Sequence, residues 1–246
     1  MPLPPLDSPQ WNSPLRAFAW GMSAVGTTVL ALVLFATYLG IGALAHDTNF
    51  SLGWVLASTL LIWAGPAQII LISTLGSGAT VVQAAVAVTL SAIRLFPMVV
   101  SVLPMLRTPR TKRRHLLLVT HFIAVTLWVE CYRLLPRVPR ERRVAFVHGL
   151  GCALVINCMI ATTIGYQLAA NLPPLFAAAI LMLTPLAFLL STARNCREIS
   201  DVLALALGLA LYPAIAMLQT GVDVLISGLS AGSIAYAVHW WRRRSA

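Results

Sequence analysis

The sequence predicts an all-α, polytopic integral membrane protein with seven to eight transmembrane helices, several of them interrupted by proline or glycine. Three observations carry this expectation. Of the 246 residues, 59% are apolar and only 10% are charged, whereas soluble domains carry about 25% charged residues. Apolar runs recur at about 17–45, 54–75, 80–106, 116–135, 143–170, 174–193, 200–218 and 221–241, each close to or above the ~20 residues a spanning helix needs. The gaps between the runs are too short to hold a soluble domain.

The chain opens with MPLPPLDSPQWNSP, which is proline-rich and has no basic segment ahead of the first apolar run. It reads as a flexible lead-in over 1–14 rather than a signal peptide, followed by one transmembrane domain over 15–241 and a basic tail at 242–246. The excess of 17 Lys and Arg over 7 Asp and Glu does not indicate nucleic-acid binding. A phosphate-binding face needs a continuous basic surface, whereas these cations cluster in short gaps, where they act as topology signals next to anionic headgroups.

The clusters are Arg16; Arg107 to Arg114; Arg133 to Arg143; Arg194 and Arg197; and Arg242 to Arg244. If 116–135 crossed the membrane, the two five-cation gaps flanking it would lie on opposite faces, against the positive-inside rule. That segment contains His115, His121 and Glu130 at or within its ends, so a partial or tilted passage is expected. The alternative is that the 107–114 cluster breaks the rule; seven full spans with the C-terminus on the cytoplasmic side are favoured over eight.

Proline removes a backbone donor and clashes with the carbonyl one turn back. Gly65-Pro66, Pro97, Pro104, Pro185 and Pro213 therefore predict interruptions, either plain kinks or discontinuous helices whose ends line a cavity. Within these runs Arg94 is the most informative residue. A charge at that depth costs about 2.5–3.5 kcal/mol on insertion scales, so it needs a partner. Glu130, the carboxylate of the central runs, would make it a strut, whereas a solute carboxylate would make it a ligand, because its planar fork matches that group. Gln68 offers both a donor and an acceptor, though polar membrane residues, including Asn157 and Gln167, also simply bridge helices. His121 is a proton-relay candidate by residue type, although a histidine at a helix end is commonly interfacial. Gly228 and Gly232 form a GxxxG close-packing signal, and Trp240 and Trp241 an interfacial belt. Cys131, Cys152, Cys158 and Cys196 show no metal-ligand spacing and read as packing residues. No catalytic motif or P-loop appears, so no enzyme activity, cofactor or metal is expected.

The stretch WAGPAQIILISTLGSGATVVQAAVAVTLSAIRLFPMVVSVLPMLR, from Trp63 to Arg107, resembles the AzlC-like branched-chain amino acid permeases. These typically show an A-G-[SA]-[AS]-Q-F element and then a helix with N-L-R-H near its middle. Ala64, Gly65, Ala67 and Gln68 match the first element, and Arg94 falls on the family arginine. The later FVHGLGCALVINCMIATTIGYQL and PPLFAAAILMLTPLAFLL also look like the family's fifth and sixth runs. The likeness in layout covers roughly 14–241, and its specific motif lies within about 45 residues.

The resemblance implies a bacterial inner-membrane permease exporting branched-chain or related amino acids. It also implies proton coupling, action with a small AzlD-like membrane subunit, and contact with membrane lipid. Carried onto this chain, Gly65, Gln68 and Arg94 would bind the substrate, and Glu130 or His121 would be the proton-linked or ion-paired group. The chain departs from the family at Pro66, at Ala92 and Leu95 beside the arginine, at His121-Phe122 where an acidic pair is usual, and in NLPPLF, which lacks the usual acidic residue. Loss of those carboxylates makes a non-transporting scaffold or regulatory protein of the same fold the alternative.

Overall fold

A computed structural model describes residues 3–109, 111–171, 198–217 and 223–245, together with isolated positions between Met182 and Cys196. The described residues are helical, in the order α1 (Pro14–Ala24), α2 (Val29–Asp47), α3 (Leu52–Ile62), α4 (Gly65–Gly76), α5 (Val81–Ala92), α6 (Leu95–Leu106), α7 (Arg113–Phe122), α8 (Val125–Leu134), α9 (Arg143–Asn171), α10 (Ile199–Ala216) and α11 (Asp223–Ser245). Among the described residues three segments, Val29–Asp47, Arg140–Asn171 and Ile199–Ala216, are long and apolar enough to cross a membrane, or five if each bent helix pair counts as one span. The sixth apolar run, with Pro185, lies largely outside the described residues.

The all-α membrane class therefore stands, and among the described residues several of the apolar runs are divided rather than continuous. The run 54–75 is divided into α3 and α4, of 11 and 12 residues. At 1.5 Å per residue each covers about 17 Å, short of the ~30 Å hydrocarbon core. The break falls at Trp63 and Ala64, directly before Gly65-Pro66, and Pro66 sits in the first turn of α4, where its missing N–H costs nothing. The other prolines behave differently from expectation. The third run breaks at Ile93 and Arg94 with a bend of 46°, so Pro97 falls in the first turn of α6. Pro104 lies inside α6, and Pro213 lies inside an α10 that continues past it.

The central packing unit is a pair of parallel helical columns, α1–α2 and α9, held at backbone contact by four glycines. A Cβ at Gly21 would overlap the carbonyl oxygen of Phe146, and one at Gly149 that of Phe18. One at Gly42 would overlap the carbonyl oxygen of Thr162, and one at Gly165 that of Leu39. Each glycine thus seats on the carbonyl three residues before its partner glycine. Both contacts advance in the same chain direction, so the two columns run parallel and start on the same face.

Arginine side chains tie that face together. Arg142 Nε donates to the Trp11 carbonyl at 2.8 Å and its Nη2 to the Asn12 carbonyl at 2.7 Å. Arg143 Nη1 donates to the Met105 carbonyl at 3.0 Å. The lead-in expected to be flexible is thereby docked at Trp11, which is buried against Phe146 and donates its indole N–H to the Pro5 carbonyl. Met105 lies next to Arg107, so both five-cation clusters belong to this basic face.

Two short helix pairs turn back partway through. The α7–α8 pair bends by 114°, taking the chain inward from the basic face and returning it there, which resolves the conflict between the two clusters. The α3–α4 pair folds back from the opposite side. Gln68, in the first turn of α4, bonds to residues 55–59 of α3, which no continuous helix could bring within reach. At the other end of α4 a Cβ on Gly76 would lie 2.8 Å from Thr48 Cγ2, returning the chain to the face where α2 ends. Gly78, at φ 85°, then supplies the left-handed turn that launches α5, whose Thr80–Gln83 capping box closes the start of the helix. With cysteines placed at Thr108 and Arg137 in a background lacking the four native ones, we expect an impermeant maleimide to label both from the same side.

Elsewhere, α10 and α11 pack on each other. Ser227 Oγ donates to the Gly208 carbonyl at 3.2 Å, and Ser227, Ala231 and Ala235 are the buried stripe of α11. The expected Gly228 and Gly232 contact is not the one used. A Cβ on either would meet nothing within 4 Å, because both lie on neighbouring helical positions turned away from that stripe. The arginines at 242–244 continue α11 rather than forming a separate tail.

Candidate functional site

The two hairpins meet tip to tip. Trp63, at the α3–α4 break, donates its indole N–H to the carbonyl of Phe122, the last residue of α7. His121 Nε2 lies 2.9 Å from the carbonyl of Leu60 near the end of α3. Broken helix ends carry unpaired backbone groups that lipid cannot satisfy, and here each hairpin supplies partners for the other. Tyr38 of α2 stacks on Trp63 with ring centroids 6.5 Å apart, so the contact is also walled by a full span. His121 is thus placed at the tip contact.

Gln68 is completely buried, and its bonding pattern fixes which way its amide points. The hydroxyls of Ser58 and Thr59 both donate to the Val55 carbonyl, at 2.8 and 3.0 Å, so toward Gln68 they can only accept. Its Nε2 donates to both, at 2.8 Å each. That leaves Oε1 as a buried acceptor without a hydrogen-bond partner. A helical side chain leans toward the N-terminus of its own helix, which here is the hairpin tip at Gly65.

Gly65 is buried and begins α4, whose N-cap Ala64 makes no side-chain cap; Ala124, the N-cap of α8, makes none either. Both hairpins therefore present uncapped helix N-termini at their tips, each carrying a partial positive charge that suits a carboxylate. A free acceptor beside such donors is matched by a small zwitterion.

Arg94 shares this depth. Helices α4 and α5 are both 12 residues long and antiparallel across the Gly78 turn, so the start of α4 is level with the end of α5 and hence with Ile93 and Arg94. Arg94 is exposed on the chain and makes no ion pair among the described residues. The expected pairing with Glu130 does not form. Glu130 is 1% exposed, with its two oxygens engaged by Thr28 Oγ1 and by Arg133, whose Nη2 and Nε lie 2.6 and 2.9 Å away. Thr28 at the same time caps the start of α2, so Glu130 secures the break between α1 and α2.

Gly65, Gln68 and His121 are therefore brought to the hairpin tips, Arg94 to their depth, and Glu130 to a separate polar cluster. Asn157 bridges helices, donating to the Ala31 carbonyl at 3.1 Å. Among the described residues no three His, Cys, Asp or Glu side chains are close enough to share a metal. Ser58, Thr59, Trp63, Phe122 and Arg133 were not anticipated as partners from the sequence. Only the polar Ser58-Thr59 pair within an apolar run was a signal, and its meaning depends on α4 folding back.

The sequence model of the AzlC protein family matches residues 29–172, from α2 through α9. This chain belongs to the AzlC family. The match covers more than half of the chain and includes both hairpins and all five residues just placed, although no curated protein and no solved structure matches it. As an AzlC protein with these apolar helices it is a multi-pass membrane protein of transporter-like function. In this AzlC protein the glycine–glutamine element is the tip of one hairpin, and the histidine-phenylalanine pair at 121–122 is the tip of the other.

Proposed function

We propose that this AzlC protein exports branched-chain or related amino acids across a bacterial inner membrane, with its basic face cytoplasmic and its C-terminus on that side. The observation that carries the reading is the buried, unsatisfied Oε1 of Gln68 at the meeting point of two opposed hairpins. In this reading the solute ammonium donates to Oε1, while the uncapped start of α4 at Gly65 and the guanidinium of Arg94 take its carboxylate. The protein makes and breaks no covalent bond. Proton coupling would drive export.

Arg94 also supports a companion subunit. It stands at mid-depth among the exposed apolar residues Ile93, Phe96 and Val100, where an uncovered charge in lipid is expensive. A small AzlD-like membrane subunit packed over α5–α6 would enclose the arginine and complete the solute site at the seam.

Efflux of preloaded radiolabelled leucine, valine and methionine tests this directly, comparing the chain alone, the chain with its companion, and Arg94→Ala with its companion. We expect partner-dependent efflux that the variant loses while still accumulating in the membrane. Absence of efflux of all three solutes from verified, membrane-inserted complex would sink the export reading.

A further inference from the structure

His148 has no assigned role, yet it occupies the ground between the basic face and the hairpin tips. It lies in the second turn of α9, and its Nε2 is buried without a hydrogen-bond partner. Its ring stands edge-on to Phe122 with centroids 6.5 Å apart. Phe122 is seated on the same face of α9 one turn further on, where a Cβ on Gly151 would come within 2.6 Å of its ring. The carbonyl of this same Phe122 takes the Trp63 indole proton that joins the two tips. His148 is therefore one ring away from the tip contact.

The charged groups of the elements packed on α9 are mostly engaged elsewhere. Glu130 and Arg133 of α8 pair with each other, as do His46 and Asp47 of α2, and Arg142 and Arg143 bond to backbone carbonyls. Arg16 of α1 is exposed. His121 of α7 faces α3, and α3 carries no charge. His115, in the first turn of α7, interacts with His148 through its backbone and its ring. His148 on α9 therefore meets α7 twice, at His115 in its first turn and at Phe122, its last residue.

We infer that His148 is the proton-carrying residue that couples transport to the proton gradient; this rests on the transport reading above. Uptake of one proton at the bare Nε2 turns the ring into an imidazolium against Phe122. The protonated Nε2 has no acceptor among the described residues in the closed packing, so it favours a state in which α7 shifts on α9, withdraws Phe122 and releases the tip contact. The proton is taken from water on the far face when the tips part. It leaves from the same nitrogen, past His115, to water on the basic face, one proton inward for each solute outward. His121, with its ring nitrogen on Leu60, and Glu130, with both oxygens occupied, serve the packing of the tips and of the α1–α2 break.

The test uses the complex in proteoliposomes and reads two quantities, leucine exchange without a gradient and leucine accumulation against an imposed pH gradient. One coupled proton makes a one-unit gradient worth a factor of about ten in concentration. We expect wild type to accumulate leucine accordingly, and His148→Gln to exchange normally without accumulating. His148→Asn provides the decisive measurement if His148→Gln does not reach the membrane, and it too should exchange leucine without accumulating it. Gradient-driven accumulation by either variant, or wild-type accumulation indifferent to the gradient, overturns the assignment while leaving the transport reading intact. A wild-type complex that moves no leucine in either mode removes both.

Discussion

Replacing Gly165 with leucine is expected to cost the protein most of its folded population in the membrane. A Cβ at this position would overlap the Leu39 carbonyl oxygen, and the reciprocal contact at Gly42 is made against Thr162 one turn away. Overpacking a core by a few methylenes costs about 1–3 kcal/mol when side chains can move aside. Here the obstacle is a backbone carbonyl within a helix, which cannot rotate away without losing its own hydrogen bond. The two columns must instead separate, and in lipid that loses the close van der Waals packing which holds membrane helices together. Detergent-extracted Gly165→Leu should run largely as aggregate in size-exclusion chromatography. Gly53→Leu is the control, since a Cβ there meets nothing within 4 Å, and it should elute as wild type does. Equal monodispersity of the two variants would remove the glycine contacts from their place as the central packing unit.

Replacing Gln68 with leucine is expected to leave the fold nearly intact and to disable transport. Ser58 and Thr59 already donate their hydroxyl protons to the Val55 carbonyl, so losing the amide strands no donor. The substitution also removes a buried oxygen that has no partner. Exchanging a poorly satisfied buried polar group for an apolar one of similar size is close to neutral for stability. A hydrogen bond to a charged solute group is worth about 1.5–3 kcal/mol, so its loss should raise the KM for leucine roughly ten- to a hundredfold. The change should be smaller for the des-amino analogue of leucine, which has no ammonium to lose. A variant that melts far below wild type with an unaltered KM would make Gln68 a packing residue.

Much of this was legible without coordinates. Apolar runs longer than about 20 residues leave only a helical membrane protein, because lipid satisfies no backbone group. Gly65-Pro66 announced the first break, since proline cannot donate from within a helix. Gln68 and Arg94 stood out because polar groups are costly in apolar surroundings, and their spacing matched a family pattern. The failures share one cause. Composition reports how apolar a segment is, not whether it crosses or returns, so 54–75 read as one span when it is a hairpin, whereas at 116–135 the flanking cation clusters already pointed to a partial passage. Arg94 and Glu130 looked like partners because they were the conspicuous opposite charges of the central runs, yet Arg133, one turn from Glu130 and at the edge of its run, claims the carboxylate at 2.6 Å.

The chain's hydropathy and charge pattern thus determined its solvent and its helical class. These are properties each segment has by itself, through the cost of placing apolar or charged groups in water or lipid. Tertiary structure alone decided that α1–α2 and α9 run parallel on four glycines, that two hairpins approach from opposite faces, and that their tips share bonds. Each of those depends on which distant backbone group lies within about 3 Å of another, and a separation of some sixty residues between Trp63 and Phe122 leaves no trace in the local pattern of either.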